Sequence, residues 1–317
     1  MVAAASRKVQ GGLSRISVGA RTTVQGAHMI STSGVSPHLA DQARKAAAAQ
    51  AIDYMRQHLA EPLQLADLAR VAPFSPFYFH RLFRDVTTMT PARFLAALRM
   101  AEARRMLLHT DRTVTAISRR VGYTSTATFT TQFSRLVGTT PGYFRQVARL
   151  LDGHCCHILA DRLHRTAAVV TRPRLTLLVP DSEPGDLVLV GLRGKGRSTD
   201  VPTAWTVAAG GSAVPVVARP SSYHAQIVLA RAHRTLISAL VDEDPASYLV
   251  GTAEVELTQR GATVGRILIG PRRPTDPPVL AIGPVGRIIE TFACLSEPPR
   301  WPDSPPLASV PTTVASA

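Results

Sequence analysis

The chain has 317 residues, of which 45% are hydrophobic, and a formal net charge of +14. That length accommodates two domains with separate cores, and no apolar run approaches the ~20 residues a membrane-spanning helix requires, so no membrane partner is expected. The charge is uneven: residues 1–40 carry 4 basic and 0 acidic side chains, residues 41–150 carry 16 and 7, and residues 151–317 carry 16 and 15. A basic segment beside a near-neutral one is the electrostatic footprint of a module that neutralises phosphates.

Residues 1–40 read as a disordered basic arm, rich in Ser, Gly and Ala and without the apolar core of a secretory signal. A mitochondrial presequence shares that composition, and an upstream extension with Met29 as the working start is another reading. Residues 41–59 are Ala-rich and lack Gly and Pro, which favours a helix that Pro62 stops.

From Leu65 to Arg145 one pattern occurs twice: a short helix, a tight turn, an aromatic-rich helix and a Thr-Pro step. At an offset of 50 residues Phe79 matches Phe129, Phe83 matches Phe133, Thr90-Pro91 matches Thr140-Pro141, and Phe94 matches Phe144. Before the turn the offset is 49, pairing Leu65 with Val114, Leu68 with Ile117, Ala72 with Val121 and Phe74 with Tyr123. The apolar positions stay in step on both sides of a one-residue insertion, so two homologous helical units are expected.

In the first unit, residues 63–72 form the short helix, and Ser75-Pro76 caps and starts the next. Phe79, Leu82, Phe83 and Val86 then face inward and leave Phe77, Tyr78, His80, Arg81 and Arg84 outward. Thr90-Pro91 opens a connector helix over 92–109, with Arg99, Arg104 and Arg105 assigned to solvent or phosphate. In the second unit, 114–121 and 125–137 repeat the two helices, Gly122 supplies the turn, and Thr140-Pro141 opens a last helix running towards Leu151. Residues 41–150 are the helical domain and 151–170 a linker.

Beyond Thr171, apolar runs such as LTLLV, LVLVGL, AWTVA and AQIVLA alternate with Pro, Gly, Ser and Asp clusters, the signature of many short strands. An all-β sandwich over 171–296 is the expected fold. Because 231–241 has a helical pattern, a mixed α+β domain stays open. The segments SSYHAQIVLA and RRPTDPPVLAI distantly resemble a transthyretin-like sandwich. Residues 297–317 form a Pro-rich tail expected to be disordered.

Cys155, Cys156 and Cys294 cannot build a disulfide framework, so a reducing cytoplasm is the expected location. His154-Cys155-Cys156-His157 invites a metal reading, but four consecutive ligands close poorly on one tetrahedral ion, and the end of a packed helix is expected instead. No metal or cofactor is expected. The Gly-rich run 191–198 lacks the spacer and ending of a phosphate-binding loop and reads as a hairpin.

A helix-turn-helix acts by laying its second helix in the major groove, where base edges are distinguishable. Two units joined by one helix can address successive grooves. The segments FSPFYFHRLFRDV, TPARFLAALRMAEARRML, VTAISRRVGYTS and FTTQFSRLVGTTPGYFR resemble the AraC/XylS family of transcription regulators. The resemblance covers residues 53–145, about a third of the chain, and implies a double-stranded DNA partner. It further implies first-helix contacts from Ser75, Phe77, His80, Arg81 and Arg84, and second-helix contacts from Thr126, Thr128 and Thr131. Family members often activate transcription by touching RNA polymerase, and a trailing domain of this kind is a place for a small-molecule effector.

Three positions depart from the family pattern. Pro73 stands where a turn Gly is frequent, so the first turn is expected to avoid a left-handed residue there. Thr88 replaces Gly after the first recognition helix. Thr131 replaces Arg, so the first helix is expected to supply most of the sequence reading. No catalytic residues are expected. A DNA-modifying or repair enzyme targeted by this module, and a non-specific architectural protein, are the competing readings.

Overall fold

The computed structural model describes residues 37–166, 175–194, 202, 204–211, 213–216, 218–240, 248–258 and 263–278. The expected tail, and all of the expected arm before Pro37, lie outside these residues. Helix α1 spans Pro37–Gln57 and so starts inside the stretch assigned to that arm.

The first unit consists of α2 (Leu65–Val71) and α3 (Pro76–Thr87), followed by α4 (Pro91–His109). Ser75 accepts a hydrogen bond from the Tyr78 amide and Pro76 occupies the first turn, which is why α3 starts there. Leu68, Phe79, Leu82, Phe83 and Phe94 close on Ile52 and Met55 of α1 in one core. The second unit repeats this with α5 (Val114–Arg120), α6 (Thr126–Val137) and α7 (Pro141–Leu151). Its core gathers Ile117, Val121, Phe129, Phe133 and Phe144 against Met100 and Leu107 of α4. The aromatic edges repeat as well: Phe83 meets Phe94 at 5.4 Å and Phe133 meets Phe144 at 5.8 Å between centroids.

Since both units pack on α4, that helix has little outer face. Arg104, assigned to solvent or phosphate by its charge, is fully buried, and Arg99 is half-buried with its guanidinium on main-chain carbonyls. Only Arg105 of the three is exposed as expected.

The two turns are alike in backbone although their residues differ. Phe74 N donates to Ala69 O at 3.0 Å, and Tyr123 N donates to Ser118 O at 2.9 Å. Gly122 meets the corner with φ 84°, and Pro73 occupies the matching corner at φ 23°, contrary to the expectation that proline would exclude a left-handed residue. Thr88 (φ 62°) likewise adopts the left-handed cap that Gly138 (φ 85°) provides in the second unit.

The stretch assigned to a linker carries α8 (Cys156–Thr166), with Cys156, Leu159, Ala160 and Leu163 buried. It lies on a five-stranded antiparallel sheet of order β3-β2-β5-β6-β8, made of β3 (Ala204–Ala209), β2 (Leu187–Gly194), β5 (Ser221–Ala230), β6 (Tyr248–Leu257) and β8 (Gly270–Pro271). A three-stranded sheet joins β4 (Ala213–Val216) antiparallel and β7 (Thr263–Arg266) parallel to β1 (Leu175–Leu178). Val188, Val190, Ala225, Ile227 and Leu229 share a core with Leu175, Leu177, Val214 and Val216 of the smaller sheet. The opposite face, Leu187, Leu189, Val228 and Ala230, packs towards α8 and the second helical unit. Burial on both faces explains why β2 begins as the unbroken run LVLV.

The region is therefore not all-β: α8 covers one sheet face and α9 (Leu236–Leu240) interrupts the strands. The antiparallel pairing of β2 with β3 fits the hairpin expected around 191–198, whose tip lies outside the described residues.

Candidate nucleic-acid interface

The face of α3 that the core leaves free carries Phe77 at 76% exposure, Tyr78 at 46%, and the exposed Arg81 and Arg84, with His80 half-buried beside them. Phe77, Arg81 and Arg84 recur at helical spacing and form one stripe. Ser75 is exposed, but its hydroxyl accepts from the Tyr78 amide at 3.4 Å and so belongs to the cap. Asp85 is exposed and meets Arg44 of α1 at 3.1 Å, bracing the back of the helix. An exposed large aromatic beside two arginines on a helix that has already buried its own Phe residues is a surface available for contact rather than core.

On α6 the corresponding stripe is Ala127, Thr128, Thr131 and Arg135, all exposed. Thr126 is half-buried and its hydroxyl lies 3.3 Å from Ser118 Oγ, so that group is engaged between the two helices of its own unit. At the offset of 50 residues the α6 counterparts of Phe77 and His80 are Ala127 and Thr130, which the sequence reading passed over although the repeat itself pointed to them. Arg119 and Arg120, exposed at the end of α5, were passed over too, whereas Tyr78, expected outward, is exposed with its ring 5.0 Å from that of Phe74.

Cys156 is buried, its Sγ 3.9 Å from Thr235 O, and burial pushes its thiol up to about 12. It packs the start of α8 on the turn that leads into α9, where Cys156 N donates to Arg234 O at 2.8 Å and Leu236 N to His154 O at 2.8 Å. Among the described residues no group of three His, Cys, Asp or Glu side chains is placed to hold a metal, and no helix is long and apolar enough to cross a membrane.

Two capped, outward-facing helices on a duplicated scaffold define a tandem helix-turn-helix protein. A helix-turn-helix domain family matches residues 68–146. The transcriptional activator RhaS of Enterobacter sp. strain 638 is 35% identical over 97 residues, 31% of this chain and 35% of that one. The TetD protein of transposon Tn10 from Escherichia coli is 32% identical over 93 residues, 29% of this chain and 67% of that protein. Among solved structures, the C-terminal domain of the response regulator AraT from Geobacillus stearothermophilus is 28% identical and covers 32% of this chain and 84% of that one, with a TM-score of 0.31. The chain belongs to the AraC/XylS family. It spans 39% and 36% of the length of two further curated relatives, a regulator of Bacillus subtilis and one of Salmonella typhimurium.

Proposed function

We propose that the protein is a sequence-specific transcription activator that binds double-stranded DNA through both units and reads bases mainly with α3. The observation that carries this reading is the inequality of the two exposed stripes: Phe77, His80, Arg81 and Arg84 on α3 against Ala127, Thr128 and Thr131 on α6. Arg81 offers a fork that fits guanine O6 and N7, and Arg84 is placed for phosphate, whereas the threonines offer short hydroxyls and methyl groups suited to thymine. Ser75 and Ser125 contribute by fixing the amide-rich helix starts, and Thr126 by holding α6 on α5. The 19 residues of α4 span about 28 Å and carry the units along one face of the duplex, where successive major grooves lie ~34 Å apart.

The two sheets, sharing one core, are read as a sandwich that serves as the effector or assembly domain. An effector acting on DNA binding has to touch both domains. A cleft of about 430 Å³ lined by Thr110, Arg145 and Arg149 of the second helical unit, by Thr235 and by Ser238 of α9 offers that position. RNA polymerase is the further partner of an activator. A repair reaction by alkyl transfer would need a reactive thiolate, and Cys156 with its raised pKa is a poor one.

The reading is tested by selecting duplexes from a random library with the full chain and measuring variant affinities on the selected site. Arg81→Ala should lose about 1–3 kcal/mol and relax the base preference, while Thr131→Ala should change little. The reverse ranking would refute the assignment, and a steep salt dependence without sequence preference would favour an architectural protein.

A further inference from the structure

The two helical units have separate cores and share α4, so something besides that helix must fix their relative angle. Among the described residues they approach tightly at Arg99. Gly122, in the turn of the second unit, lies so close to the loop between α1 and α2 that a Cβ added there would stand 2.7 Å from Leu59 O and 2.8 Å from Arg99 Nη2. Arg99 of α4 donates to Leu59 O at 2.9 Å and to Glu61 O at 2.7 Å, both carbonyls of the first unit. Its Cζ lies 5.7 Å from the ring centroid of Tyr123 in the second unit. One guanidinium thus grips the first unit by its main chain and the second by a ring.

Burial lowers the Arg99 pKa and raises that of Tyr123, and the contact sets a guanidinium over the phenol ring. Within the two turns of α4 before Arg99 the packing opens. Met89, Ala92, Arg93 and Ala96 face Arg135 and Leu136 across an apolar crevice of about 210 Å³. Among the described residues the two units thus meet tightly at Arg99 and Gly122 and face each other across a crevice at Met89 and Leu136, the arrangement of a joint that can rock if Arg99 is released.

We propose that Arg99, seated against Gly122 and Tyr123, is a positioning residue that holds the two helix-turn-helix units at one angle and thereby sets the spacing of DNA half-contacts the protein accepts. The proposal rests on the reading of α3 and α6 as groove readers, but the joint itself can be measured without DNA.

For that measurement, nitroxide labels are placed at Arg70→Cys on α2 and Arg120→Cys on α5, both exposed positions, in the full chain carrying Cys155→Ser and Cys294→Ser. Pulsed electron spin resonance then reports the distance distribution between units. Arg99→Gln should broaden it, and Gly122→Ala, by forcing Leu59 and Arg99 away, should displace its centre. A distribution in Arg99→Gln as narrow as the unsubstituted protein's overturns the proposal.

On the duplex selected with the unsubstituted chain, inserting one base pair between the two protected patches should cost that chain about tenfold in affinity, because it rotates one half-contact about the duplex axis. Arg99→Gln should show a penalty below about threefold with the same base preference within each patch. Equal penalties in the two proteins overturn the spacing role. Should Arg99→Gln melt early enough to confuse the result, Arg99→Lys, which keeps the charge but not the fork, is read against the same two criteria. If selection returns no preferred sequence, the functional reading fails while the label distances still decide the joint.

Discussion

Arg99 and Arg145 perform the same act at positions that do not correspond in the repeat. Each leaves the helix that closes its unit and donates to main-chain carbonyls just before the unit's first helix: Arg99 to Leu59 O and Glu61 O, Arg145 to Leu107 O in the last turn of α4 and to Thr110 O and Arg112 O beyond it. The 50-residue offset instead pairs Arg99 with Arg149, so the anchor has moved by one helical turn while its task is kept. Charge-assisted bonds from a half-buried guanidinium to several carbonyls contribute more than exposed ion pairs do. Arg145→Ala should therefore destabilise the helical domain by about 2–4 kcal/mol, read from chemical denaturation followed by helical circular dichroism. Arg149→Ala, which removes only an exposed pair with Asp111, should cost under about 1 kcal/mol.

Thr88 carries a β-branched side chain in a left-handed cap that its counterpart fills with Gly138. Such a residue is strained by about 1–2 kcal/mol there. Thr88→Gly should raise the unfolding midpoint by an amount equivalent to about 1 kcal/mol, and Gly138→Thr should lower it similarly. A scanning calorimetry comparison in which Thr88→Gly is destabilising would contradict the cap assignment.

Phe77 and Phe79 are two residues apart with opposite surroundings, 76% exposed against 0%. Phe79→Ala empties a site in the first unit's core and should cost about 3–5 kcal/mol of stability. Phe77→Ala should leave the melting temperature nearly unchanged and weaken binding to the selected duplex. The two measurements together separate the contact face of α3 from its packing face.

The Cys156 thiol, pushed up to about 12 by burial, stays protonated in the folded chain at pH values where an unfolded cysteine, near 9, has ionised. The unfolded state then binds fewer protons, so this group makes stability fall as pH rises from about 9 to about 12. Cys156→Ala should flatten that part of the stability profile relative to the unsubstituted chain. Thiol titration at pH 8 should modify the half-buried Cys155 in the folded protein and reach Cys156 only after denaturant is added.

The helical domain was largely legible because burial in a helix recurs every three to four residues and its ends carry chemical marks. Phe79, Phe83, Phe129 and Phe133 announce their inward faces, and Ser75-Pro76 and Thr140-Pro141 announce starts that the structure places one residue away at most. Charge was a poorer guide. Arg104 was assigned outward because arginine usually is, yet α4 is enclosed by both units and has no solvent strip at that position.

Sequence alone determined the duplication, the two exposed helix faces and the change to strand-forming texture after Thr171, since each depends on neighbours within a turn or a strand. Tertiary structure decided that α8 covers the sheet instead of linking domains, that β7 lies parallel to β1, that the Thr126 hydroxyl turns to Ser118, and that Arg99 reaches Leu59. These are contacts between segments distant along the chain, where a backbone carbonyl or a sheet edge is the partner. Such partners are identical at every residue and so leave no mark in the order of side chains.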